Sequence, residues 1–349
     1  MTTVSERVAV SGDIQLWYRD AVSCLQATFA TALLRAGHDP LPVLGLHWEF
    51  RFQPEKVTSE EFSFPCAPGV ELADALMPHH PVRSRWHRAG GQGLEELVAE
   101  LARDRTVVAA VDNFHLPFRP AYHDVHAAHL LVVTGIDLRA GTVSVADAMP
   151  PEFSGEIPLA AFLDAWTSGN PSDEQDAFFS DTGIERRYLT VDVEEPFPVV
   201  DRELLRRALA HGSALFHAAS PDGDGDHVGL RGLRFFLDDV VERARSGRAG
   251  ALQHVYPFGW GMQAQAALHG EFLRTWGRAE GLPALAEAGR RVEAVAHAWT
   301  GVRVTAAHAT AHPPHDHGEV AADLATHTGT LDRAYVTAVQ ALDEAKEML

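Results

Sequence analysis

A cysteine, a histidine and a carboxylate brought together can open a carbonyl compound by nucleophilic attack, and this chain has a candidate for each role. Its two cysteines are Cys24 and Cys66. Cys24 lies in a stretch where Val22, Leu25, Phe29 and Leu33 recur at helical intervals and Gly37 can close the helix. Ser23 and Gln26 fit an S-x-x-Q capping box. In that motif the serine oxygen accepts from the amide three residues on and the glutamine side chain reaches back to the serine amide. Cys24 is then the first helical residue. Unpaired amides and the positive end of the helix dipole there favour the thiolate, which is the form that attacks. The competing reading is a small buried hydrophobe. Cys66, between prolines in Phe64-Pro-Cys-Ala-Pro, has no helix start and reads as structural.

A base and its orienter are found further along. The segment from Val125 to Pro151 holds two apolar runs joined by a Gly-bearing turn around residues 138 to 141, which reads as a β-hairpin. Folding about that turn sets His129 opposite or nearly opposite Asp147, where Cβ atoms about 5 Å apart let a carboxylate hold an imidazole in one tautomer. A register shifted by one residue would put them on opposite faces, and turn length alone does not decide it. His126 is the rival base, but it precedes the strand and has no evident partner. Asn113 and His115 follow an apolar strand and are candidates to line a substrate pocket, or else a turn asparagine and a surface histidine.

The elements that must position these residues fall into two groups. Up to about residue 195, short β-rich runs (Val43 to Trp48, Val107 to Val111, Leu130 to Ile136, Thr142 to Ala146) alternate with Pro, Gly and Asp clusters. Beyond it, helical patterns cover Asp201 to Ala218, Leu230 to Ser246, Met262 to Gly277, Leu282 to Thr300 and Val320 to Met348. The expected class is α+β, with a catalytic domain over 1–195 and a helical domain over 196–349. With 29 basic against 48 acidic residues the formal charge is −19, which argues against a nucleic-acid partner. No run of about 18 apolar residues suggests a membrane span. The N-terminus lacks the basic and apolar regions of a secretion signal, so the expected location is cytoplasmic. Clustered His312, His315 and His317 have no partner at zinc-site spacing, and the run Asp222, Asp224, Asp226 puts His227 and Leu233 where a calcium loop needs Gly and Glu. No metal is expected.

Cys24, His129 and Asp147, in that order, follow the nucleophile, base and orienter pattern of papain-like folds. The segments Ser23-Cys-Leu-Gln-Ala-Thr, Val111-Asp-Asn-Phe-His-Leu-Pro-Phe-Arg-Pro-Ala-Tyr and His129-Leu-Leu-Val-Val-Thr-Gly-Ile-Asp, with Asp147 closing the hairpin, resemble the N-terminal domain family of butirosin biosynthesis protein H. The helical half resembles the domain that commonly follows it, through Gly229-Leu-Arg-Gly-Leu-Arg-Phe-Phe and Gly270-Glu-Phe-Leu-Arg. The resemblance implies a papain-like domain that transfers an acyl group from the phosphopantetheine thioester of an acyl carrier protein to a small-molecule amine in natural-product biosynthesis. It assigns Cys24 as the acylated nucleophile, His129 as base and Asp147 as orienter. It implies no cofactor beyond the phosphopantetheine arm supplied by the carrier.

Two departures stand out. Papain-like enzymes place an oxyanion-hole glutamine a few residues before the cysteine, whereas Gln15 is nine residues upstream. In addition, Phe258-Gly-Trp-Gly-Met-Gln-Ala-Gln stands where an arginine-containing sequence is expected. An acidic carrier protein would also need a local basic patch. Arg83, Arg85, His87 and Arg88, then Arg202, Arg206 and Arg207, are the densest clusters, with solvated faces as the competing reading. The same triad also suits a peptidase or an amide or thioester hydrolase, and a scaffold that only binds a carrier would need none of it. The sequence is compatible with a homo-oligomer and does not decide the point.

Overall fold

The computed structural model describes residues 7–54, 57, 62, 71–91, 93–218, 225–248, 250–312 and 316–349. Cys66, Asp222, Asp224 and His315 lie outside the described residues. The first half runs β1 (Arg7–Ala9), α1 (Cys24–Arg35), α2 (Pro40–Leu44), β2 (Arg51–Phe52), α3 (Leu72–Leu76), β3 (Val82–Arg88), α4 (Gly93–Leu101) and β4 (Thr106–Asp112). After a 3-10 turn over Asn113–His115 come β5 (Ala128–Asp137), β6 (Thr142–Asp147), β7 (Phe153–Pro158), α5 (Leu159–Thr167) and β8 (Arg187–Val193). The second half is α6 (Arg202–Phe216), β9 (His227–Val228), α7 (Gly229–Ser246), α8 (Val255–Ala279), α9 (Pro283–Ala311) and α10 (His317–Lys346). This is the α+β class expected, with an antiparallel sheet first and helices after.

Among the described residues the main sheet has seven strands in the order β3-β8-β4-β5-β6-β7, with β1 on β5. Every residue of β4 is buried, as an apolar run without alternation requires when both faces of a strand are covered. Helices α1, α4 and α5 supply the cover. One expected strand, Val43 to Trp48, does not form: Val43 and Leu44 close α2, and residues 45–48 are turn and irregular chain. Asp39 accepts from the Leu41 amide at 3.1 Å and Pro40 takes the first helical position, so local helix-start chemistry prevails over the apolar run beginning at Val43.

The chain after α2 then leaves the first core. Leu46, Trp48, Phe50 and Phe52 pack with α6 to α10 in a second core, and Arg51 pairs with Val228 in the small β2-β9 ladder. In return, Leu268 of α8 belongs to the sheet core. Helices α8 and α9 approach closely at glycines, because a Cβ on Gly289 would sit 2.5 Å from the Arg274 nitrogen and one on Gly270 2.8 Å from the Gly289 carbonyl oxygen.

Candidate active site

Cys24 opens α1 as its capping chemistry dictates. The Ser23 hydroxyl accepts from the Gln26 amide at 3.4 Å, and the Gln26 side chain accepts from the Ser23 amide at 2.9 Å. The first turn carries no acidic residue to oppose a thiolate. Cys24 is a thiol rather than half of a disulfide and is only 1% exposed. Its helix rests on β5 and β8.

His129 stands second in β5 and Asp147 last in β6. At the turn end of the hairpin Asp137 pairs with Thr142 and Gly135 with Ser144, but beyond an irregularity between Val133 and Gly135 the pairs are Val133 with Val145 and Val132 with Ala146. The bulge advances the register by one residue. Continued, it sets Asp147 beside Leu131 and makes His129 its diagonal neighbour on the same face. Without the bulge the two would face opposite ways. The result is a buried contact of 2.8 Å between His129 Nε2 and Asp147 Oδ2. With Asp147 ionised, Nε2 carries the proton it donates to the carboxylate, and Nδ1 is left as the basic nitrogen.

Asp147 has further partners that the sequence did not reveal. Arg119 donates from its NH1 to the same Oδ2 at 3.2 Å and to the Met149 carbonyl at 3.2 Å, while the Met149 amide donates to Oδ1 at 2.9 Å. Burial pushes the Asp147 carboxyl up, but the charge and hydrogen bond of His129, the Arg119 guanidinium and the Met149 amide outweigh it and hold the group below its ordinary value. Arg119 lies within the family-like segment. Its loop position gave no periodic signal.

His126 does have a partner, contrary to the sequence reading. Its Nδ1 lies 2.7 Å from Asp112 Oδ2, Ser168 donates to that oxygen at 2.6 Å, the Phe114 amide donates to Oδ1 at 3.0 Å, and the Phe114 ring stacks on the imidazole. Val111 pairs with His129 and Asp112 with Ala128, so Asp112 and His129 point to opposite faces of the sheet. The two histidine-aspartate pairs are therefore separate. Asp112 ends a strand whose residues 107–111 are all apolar, and an acid directly after that run was the available signal.

Asn113 is buried, with its Oδ1 lacking a hydrogen-bond partner, and His115 is half-buried with its ring 6.2 Å from that of His126. Gln15 is exposed in the segment between β1 and α1. A cleft of about 580 Å³ opens beside the residues leading into α1, lined by Arg19, Asp20, Ala21 and Val22 from the first half and by residues of α8 and α9 from the second. Cys24 and Gln15 are not among its lining residues. The basic clusters carry acidic partners: Arg83 pairs with Glu194, Arg88 with Glu185, Arg202 with Glu280, and Arg206 and Arg207 share Glu203.

Residues 23–148 match the family model of butirosin biosynthesis protein H, N-terminal. The match begins at Ser23, which caps the Cys24 helix, and ends one residue past Asp147, so it encloses Cys24, His129 and Asp147. It covers a little over a third of the chain, and the helices that follow are consistent with a butirosin-type N-terminal domain continued by a helical region. No curated protein matches the chain. Among the described residues no group of three or more His, Cys, Asp or Glu side chains is arranged to hold a metal ion, and no helix is long and apolar enough to cross a membrane.

Proposed function

We propose that this protein is a cytoplasmic cysteine acyltransferase that moves an acyl group from the phosphopantetheine thioester of an acyl carrier protein, through Cys24, to a small-molecule amine, in natural-product biosynthesis. The observation that carries the reading is the buried His129–Asp147 pair at 2.8 Å, within the same family-matched region as a cysteine at a capped helix start. In the first step the Cys24 thiolate adds to the thioester carbonyl and the pantetheine thiolate leaves, taking up a proton from His129. In the second, the amine adds to the acyl-Cys24 carbonyl, His129 receives the nitrogen's proton, and the Cys24 thiolate departs. Asp147 holds the imidazole in the required tautomer and stabilises it when charged.

The first step exchanges one thioester for another and is nearly balanced, whereas amide formation runs downhill. Water would divert the acyl group, and the burial of Cys24 favours transfer over hydrolysis. Asn113 and His115, on the turn after β4, are proposed to contact substrate. Gln15 is the weaker candidate because it lies exposed. The test is to supply acyl-pantetheine thioesters with a panel of amines and measure amide against free acid. Amide formed in excess of acid, and lost in His129→Gln, supports transfer. Free acid alone would make the protein a thioesterase.

A further inference from the structure

We infer that the cleft beside Cys24 is the acceptor site, and that it selects an elongated amine with an acid at its far end, such as a short peptide or a long ω-amino acid. The inference rests on the acyl-transfer reading only for the statement that the amine is the reacting end.

The cleft is shared between the two halves of the chain. Val22, in its wall, is two residues from Cys24, so their Cα atoms are at most about 7 Å apart. At this near pole two carboxylates from neighbouring helices line the wall, Glu271 on α8 and Glu293 on α9. Both are held in place. Arg19 Nε donates to the two Glu271 oxygens at 3.0 and 3.2 Å, its NH1 donates to the Tyr18 carbonyl at 2.9 Å, and its guanidinium lies 4.7 Å above the Trp17 ring. Arg274 donates to Glu293 at 2.7 Å. An ammonium entering here shares Glu271 with Arg19 and Glu293 with Arg274, two arginines that also line the cleft, with Asp20 as a third acidic lining residue beside the segment that leads to the nucleophile.

The far pole has a different chemistry. Arg303 of α9 lies between the rings of Tyr256 and Trp260, 4.4 and 4.7 Å from their centroids, with Gln263 accepting from it. Gly259 makes this crossing possible, since a Cβ there would sit 2.6 Å from Arg303 Cγ. The glycine-rich Phe258-Gly-Trp-Gly segment thus receives its arginine from the neighbouring helix. Eight residues separate Gln263 from Glu271 along α8, about 12 Å of helical rise, and ten separate Glu293 from Arg303 along α9, about 15 Å. A ligand that spans the poles therefore needs an amine and an acid about 10 Å apart, roughly the length of an extended tripeptide. A diamine of that length would bring a second cation against Arg303, and a short amino acid would reach only one pole.

The test is calorimetric titration of the full-length Cys24→Ala protein with triglycine, 8-aminooctanoate, 4-aminobutyrate, 1,8-diaminooctane and octylamine. Triglycine and 8-aminooctanoate are expected to bind saturably and at least about 10-fold more tightly than the other three. Arg303→Gln is expected to remove that preference and Arg303→Lys to retain part of it. Binding independent of length, tightest binding of the diamine, or no binding of any probe would overturn the inference. So would one-for-one displacement of 8-aminooctanoate by pantetheine 4′-phosphate, which would assign the cleft to the donor. Selective binding in a protein whose Cys24 takes no acyl group would overturn the acyl-transfer reading and leave the cleft's selectivity standing.

Discussion

Asp147 accepts from two cationic or potentially cationic groups through one oxygen, and this makes its replacement informative. Asp147→Asn keeps the shape and removes the charge, leaving Arg119, whose side chain is 12% exposed, without its carboxylate. Removing one member of a buried ion pair costs about 3–5 kcal/mol, and the partial exposure of Arg119 puts the expected loss near 3 kcal/mol. Arg119→Met removes charge-assisted bonds to Asp147 and to the Met149 carbonyl, at a cost of about 1.5–3 kcal/mol. The double variant leaves neither partner stranded, so it should cost less than the two single losses added, by about 1–3 kcal/mol. Urea melts followed by tryptophan fluorescence at neutral pH measure all four species. The Asp147 carboxyl is held below its ordinary value in the fold, so its contribution is complete above the carboxylate range of the unfolded chain and disappears as pH falls through the depressed value. The gap between wild type and Asp147→Asn should therefore hold from neutral pH down to that range and close below it. Losses that add to within about 0.5 kcal/mol would refute the shared-oxygen arrangement.

Other perturbations probe the surrounding structure. Ser23→Ala should cost about 1 kcal/mol of stability and slow alkylation of Cys24 by iodoacetamide, because it removes half of the capping box; an unchanged alkylation rate would detach thiol reactivity from the helix start. Gly289→Ala, in the tight crossing of α8 and α9, should lower stability by about 1–3 kcal/mol in the same urea assay. Burial holds His79, His80, His254 and His269 down at about 4, so below the ordinary 6.5 the unfolded chain takes up protons that the folded chain refuses. Urea midpoints should accordingly fall as pH is lowered from about 6.5 to about 4, less steeply in His269→Phe, and a flat profile over that window would contradict the burial of these rings.

What could be read in advance follows from the range of the interactions involved. The start of α1 was legible because Ser23, Cys24 and Gln26 settle it among themselves. The long helices of the second half were legible from periodicity, although α8 begins seven residues before the expected Met262, where glycines and a proline blur the pattern. The His129–Asp147 hairpin was legible as a hairpin. Its facing depends on a bulge at Val133/Gly135 that only the glycine hinted at. Arg119 was not legible, since it reaches Asp147 from an irregular loop 28 residues away. Nor was the passage of Leu46 to Phe52 into the helical core, because an apolar run does not say which core will bury it.

The most direct test of acyl transfer through Cys24 is the intact mass of the protein after brief incubation with acyl-pantetheine thioesters, beside a Cys24→Ala control. The expected result is a mass increase of one acyl group that is absent from the control and disappears when an amine acceptor is added. No adduct with any donor, together with no accelerated alkylation of Cys24 near neutral pH, would contradict a catalytic role and point to a scaffold that binds without reacting.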